Sequence, residues 1–152
     1  RQPNVFTGSF ARANLSYSVF EREDKERKLL EILQNVPGSS VVYVRSRKRT
    51  QEIAGWLNRQ GIRAGHYHAG LTNEDRAARQ DDWLRGRTRV VVATNAFGMG
   101  IDKPDVRTVI HVDMPANLES YYQEAGRAGR DGAKAYAVAL YHATDLENMQ
   151  TA

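Results

Sequence analysis

Apolar residues in this chain fall in short compact runs, and between the runs they recur at helical spacing. Leu15, Tyr17 and Val19 alternate with polar residues, the pattern of a half-buried strand. Residues 25–35 place Leu29, Leu30, Ile32 and Leu33 on one helical face, and Pro37-Gly38 stops that helix. Residues 41–44 are wholly apolar, as in parallel strands covered on both faces. A helix is predicted over about 48–60, with Ile53, Trp56 and Leu57 inward and Gly61 just past its end. Residues 64–68 read as a weaker strand. Thr72 precedes a helix to about Leu84, with Asp75 spaced like the acid of a capping box. Residues 89–93 and 108–112 are further buried strands. Asn117 caps a helix to about Ala128, and residues 135–141 form the last strand.

Strands alternating with helices over short connections predict an α/β fold, a parallel sheet with helices on both faces. In such sheets ligands gather at the carboxyl ends of the strands. At 152 residues the chain has the length of one domain, and 41% hydrophobic residues suffice for a core. The longest apolar run has seven residues, far short of the roughly 18 that a membrane-spanning helix needs, so no membrane partner is expected. The chain starts at Arg1 without a basic-then-apolar leader, so no secretory signal is expected. It has no cysteine, which excludes a disulfide or a thiolate zinc site within it and fits a reducing compartment.

Charge adds one inference. The net charge is +4, and residues 1–76 carry 13 basic against 8 acidic side chains. Arginines outnumber lysines 17 to 5. An arginine fork suits phosphate, so a polyanionic partner is admitted; compositional bias explains the same excess.

The strand-end segments carry the candidate chemistry. Arg45-Ser46-Arg47-Lys48-Arg49 puts four cations at a helix start, where they oppose the helix dipole. A bound phosphate would resolve that conflict; the alternative is a solvated basic turn. His66-Tyr67-His68-Ala69-Gly70-Leu71 closes the next strand, with Arg76 one turn into the following helix. Its two histidines lack the partners that a metal site requires, so no metal is expected. Thr94 to Pro104 contains Gly98-x-Gly100 and Asp102, a poor dinucleotide fingerprint but a fair phosphate or sugar loop. Glycines at 126, 129 and 132 weaken the helix end by about 1 kcal/mol each relative to alanine. Arg127 and Arg130, three apart near the predicted helix end, point to one side. They agree with the helix dipole there, a purely structural reading; the small residues also suit two guanidiniums that close on a group outside the domain.

Gln123-Glu124-Ala125-Gly126-Arg127-Ala128-Gly129-Arg130-Asp131-Gly132 resembles motif VI of the RecQ-family DNA helicases. Ala93 to Pro104 resembles their motif V, Tyr43 to Arg47 motif IV, and Tyr67 to Leu71 the element after it. Phe10-x-Arg12-x-Asn14-Leu15 is similar to the start of their second motor lobe. DEAD-box RNA helicases are more distant, with His-Arg in place of Gln123-Glu124. No GxxxxGK[ST] loop and no DExH or DEAD box is present, and the family's cysteine-rich zinc region and winged helix are missing.

The resemblance therefore implies a RecA-like second lobe without a phosphate-binding loop of its own. It would span residues 10–145, between a linker (1–9) and the start of a connecting helix (146–152). The parent would be an ATP-dependent 3′-to-5′ DNA helicase, and the lobe alone would not hydrolyse ATP. ATP and Mg²⁺ would be held mainly by the first lobe. The resemblance makes Arg130 the arginine finger and Arg127 a second phosphate contact or its support. Gln123, Asp102 and Gly100 would face the nucleotide, Asp102 toward the ribose or an adjacent arginine. Ser46, Arg47, His68, Gly70, Arg76 and Thr94 would line the track for single-stranded and partly duplex DNA, holding phosphates rather than reading bases. Asp131 has the least defined role, and pairing with a neighbouring arginine would account for it. The expected location is the cytoplasm or nucleoid of a bacterium, or a eukaryotic nucleus. A stand-alone nucleic-acid-binding module derived from such a lobe is the alternative function.

Overall fold

The computed structural model describes residues 12–21, 24–94, 102–115 and 117–141. The linker (1–9), the connecting helix (146–152) and Gly100 lie outside them. Ten elements follow in order: β1 (Leu15–Glu21), α1 (Lys25–Asn35), β2 (Ser39–Tyr43), α2 (Arg47–Arg59), β3 (Ala64–Tyr67), α3 (Asn73–Leu84), β4 (Val90–Ala93), β5 (Val106–His111), α4 (Leu118–Ala125) and β6 (Ala135–Tyr141). The strands make one six-stranded sheet in the order β1-β6-β5-β2-β4-β3, and every pairing is parallel.

The apolar runs are continuous because both faces of the sheet are covered, and the two-residue strand period sends alternate residues to opposite cores. Val42, Val90, Val92 and Ile110 pack against Leu29, Leu33, Ile53 and Leu57 of α1 and α2. Val41, Val91, Ala93 and Val109 join Trp83 of α3 and Tyr121, Tyr122 and Ala125 of α4 on the other side. Thr72, Ser46 and Asn117 each cap a helix by accepting from a backbone N–H three residues on.

Three expected boundaries shift by two residues or more. β5 begins at Val106 and not Thr108. β2 begins at Ser39, before the apolar run, because polar Ser40 is buried with a partner: its hydroxyl pairs with that of Thr108. Trp83 Nε1 also donates to its carbonyl at 3.2 Å. α4 ends at Ala125 and not near Ala128. Gly129 has φ +68°, a conformation few side chains adopt, and its N–H leaves the helix to donate to Val106 O at 2.8 Å. A Cβ there would lie 2.7 Å from that of Ala135 and 2.6 Å from Asn14 Nδ2.

Candidate nucleic-acid track and arginine turn

All six residues expected to line a DNA track fall at the carboxyl ends of β2, β3 and β4, three neighbouring strands. Ser46 Oγ accepts from the N–H of Arg49 at 3.2 Å, which starts α2 directly after β2. Arg47 projects toward the turn after β3, where a Cβ on Gly70 would come within 2.8 Å of its Nη1. The Gly70 N–H donates to His68 Nδ1 at 3.0 Å. Arg76 Nη1 donates to Ala69 O at 3.3 Å, and its Nη2 to Asn73 Oδ1. Thr94 N–H donates to Tyr67 O at 3.3 Å, which sets it beside the same turn.

His68 is buried, 7% exposed, and because Nδ1 accepts a hydrogen bond the neutral ring carries its proton on Nε2. Burial first, then the Arg47 and Arg79 guanidiniums, hold its pKa below the ordinary histidine value. Near neutral pH the ring is therefore uncharged, and it adds no cation to the turn beside Arg47.

Asp113, just after β5, was not singled out by the sequence reading. One oxygen accepts from Arg45 N–H at 2.8 Å and from Arg49 Nε at 2.9 Å. Lys25 Nζ stands 3.9 Å from the other and donates to Val112 O at 2.6 Å. An internal carboxylate thus offsets part of the cation–dipole conflict at the start of α2, so a bound phosphate is not its sole remedy. Arg45, Arg47 and Lys48 remain exposed. A lone acid at the carboxyl end of a strand, level with a basic turn, is the signal that could have pointed to it.

Asp102 meets an adjacent arginine, one of its two expected neighbours, whereas Arg127 and Arg130 lie away from the strand ends at which ligands were expected. α4 runs back along the sheet, so the segment after it returns toward the amino ends of β5 and β6. There Gly129 N–H reaches Val106 O, and Asp131 N–H reaches Pro104 O at 3.0 Å. The two arginines, on a turn rather than a helical ridge, diverge. Arg127 is half-buried, with its guanidinium against the Tyr43 hydroxyl. Burial raises the Tyr43 hydroxyl to about 12, opposed by Arg127. Arg130 points outward, its Nη1 donating to Asp102 Oδ1 at 3.1 Å. These three line one crevice with Trp83, Lys103 and Val106. Gln123 is exposed on α4, one turn before Arg127. Asp131 pairs with Arg107 at 2.6 Å.

His111 and Glu124 were also missed. His111 Nε2 and Glu124 Oε1 are 2.8 Å apart, and the imidazole stacks on Tyr43 with ring centres 4.9 Å apart. The pair locks α4 onto β5 one turn before the arginines. Among the described residues no group of three His, Asp or Glu side chains could hold a metal ion, and no helix is long and apolar enough to cross a membrane.

The family of the helicase conserved C-terminal domain matches residues 24–132. The ATP-dependent DNA helicase RecQ of Bacillus subtilis is 44% identical over 147 residues, 96% of this chain and 25% of that protein. The ATP-dependent DNA helicase RecQ of Pasteurella multocida is 43% identical over 146 residues, 95% of this chain and 23% of that protein. The chain spans about a quarter of the length of these relatives. The crystal structure of the E. coli DEAD-box protein SrmB, bound to RraA, superposes with a TM-score of 0.75 at 33% identity, covering 88% of this chain and 81% of that one. The chain belongs to the helicase conserved C-terminal domain family, as a RecA-like lobe of the RecQ type.

Proposed function

We propose that this chain is the second motor lobe of an ATP-dependent 3′-to-5′ DNA helicase, contributing an arginine finger and part of a single-strand track. The observation that carries the reading is Arg130: half-exposed at the crevice, held among the described residues by one solvent-exposed carboxylate, with Arg127 lining the same crevice. A surface ion pair of this kind is worth about 0–1 kcal/mol, so Asp102 yields the guanidinium readily to a phosphate.

ATP is the substrate, bound with Mg²⁺ mainly by the first lobe of the same protein. As the lobes close, Arg130 meets the charge that develops on the transferring phosphoryl group, which a planar guanidinium stabilises well. Arg127 either contacts a second phosphate or supports the turn; its burial against Tyr43 favours support. Gln123 and, outside the described residues, Gly100 are the further nucleotide contacts of this proposal. Ser46, Arg47, His68, Gly70, Arg76 and Thr94 hold single-stranded or partly duplex DNA by its phosphates at the other end of the sheet. The lobe by itself does not hydrolyse ATP. It works in a bacterial cytoplasm or nucleoid, or in a eukaryotic nucleus.

The test is Arg130→Ala in the full-length parent. DNA-stimulated kcat should fall on the order of 10³–10⁵-fold while nucleotide affinity stays within a few-fold. A stable Arg130→Ala protein with near-normal kcat would remove the finger.

A further inference from the structure

We infer that Arg12 and Asn14 are positioning residues for the arginine turn, so that the segment entering this lobe sets where Arg127 and Arg130 point. The inference rests on the function proposed above. Backbone N–H groups of Gly126, Arg127 and Ala128 serve the last-turn carbonyls of Tyr122, Glu124 and Ala125, whereas carbonyls of the turn beyond the helix call for further donors. Two side chains from over a hundred residues upstream supply them. Arg12 Nη2 donates to Gly126 O at 2.9 Å and to Ala128 O at 2.6 Å, the carbonyls on either side of Arg127. Asn14 Nδ2 donates to Gly129 O at 2.7 Å and to Ala133 O at 2.9 Å, on either side of Arg130 and Asp131.

The backbone fixes the same geometry. Ala135 N–H donates to Asn14 O at 2.9 Å, and Leu15 is in register with Ala135 where β1 meets β6. The four side-chain bonds therefore run between two segments whose separation the sheet already sets. The guanidinium also sits at the carboxyl end of α4, where the dipole favours a cation. Gly129 has no room for a Cβ because Asn14 Nδ2 and the Ala135 Cβ occupy the space. In the proposed motor the first lobe precedes residue 1, so Arg12 stands where the connection between lobes enters this one.

The experiment uses the full-length parent carrying Arg12→Ala, Arg12→Lys, Asn14→Asp, Arg130→Ala, and Arg12→Ala with Arg130→Ala. Asn14→Asp keeps the size but replaces a donor by an acceptor facing carbonyl oxygens. Arg12→Ala and Asn14→Asp should lower DNA-stimulated kcat by about tenfold to a hundredfold, the scale of a misplacement of about 1 Å. The KM for ATP and single-strand affinity should stay within a few-fold. The double variant should be no slower than Arg130→Ala alone. Should Arg12→Ala fail to fold, Arg12→Lys carries the test, with a smaller loss of kcat at unchanged melting temperature. Normal kcat in the Arg12 and Asn14 variants beside an inactive Arg130→Ala overturns this inference and leaves the finger standing. A rate loss that only tracks the unfolded fraction, or losses that multiply in the double variant, overturns it too. An active Arg130→Ala overturns the finger, and this inference with it.

Discussion

Arg130 Nη1 lies 3.1 Å from Asp102 Oδ1, and the two side chains are 50% and 70% exposed. The pair sits outside the core, so its contribution to stability is small. Asp102→Ala should change unfolding free energy by less than about 1 kcal/mol, measured by urea denaturation of the purified chain. A larger loss would mean that the pair is structural rather than a resting position for the arginine.

The proposed track is electrostatic, so its footprint is a salt slope. Each phosphate contact to a single strand contributes about 0.7 to the slope of log K against log salt. Arg47→Ala with Arg76→Ala should flatten the slope by about 1.4 and weaken binding to all sequences alike. Fluorescence anisotropy titrations at four salt concentrations decide this, and an unchanged slope rejects the track.

Gly70→Ala should weaken single-strand binding without unfolding the domain. The added Cβ would stand 2.8 Å from Arg47 Nη1, at the far end of a flexible side chain that can turn aside. Gly129→Ala, with φ +68° and its nearest neighbours closer than 3 Å, should cost more than about 1 kcal/mol of stability. Comparing melting temperature and DNA affinity in the two variants separates a track glycine from a fold glycine.

His68 gives a pH dependence of known sign. Its folded pKa is lowered, so below the ordinary value of 6.5 the unfolded chain takes up a proton that the folded chain refuses. The stability that His68 contributes is thus present at and above neutral pH and is lost as pH falls below about 6.5. His68→Gln should reduce the drop in melting temperature between about pH 7.5 and pH 5.5. An equal drop in both proteins would show that the ring titrates freely.

Local signals carried the fold further than they carried the site. The valine runs at 41–44 and 90–92 and the caps Thr72 and Asn117 are short-range features, and each element they predict is present. The end of α4 is less legible because helical spacing runs on through Ala128, and the break comes from the positive φ of Gly129 and its long-range bond to Val106. The six track residues gather as the strand-end rule expects. Arg130 does not, since a helix packed on a parallel sheet returns its end toward the amino ends of the strands. The bonds of Arg12 and Asn14 span more than 110 residues, and no periodicity encodes such a pairing. Polar residues directly before a strand were the available hint.

If Arg130 acts on the transition state, its effect is separable from ground-state binding. The decisive measurement compares the full-length parent with Arg130→Ala for two affinities, one for a non-hydrolysable ATP analogue and one for ADP with aluminium fluoride, both with DNA bound. The account predicts that Arg130→Ala weakens the aluminium fluoride complex by about 10³-fold or more while analogue affinity stays within a few-fold. Equal losses for both ligands, or none for either, would contradict it.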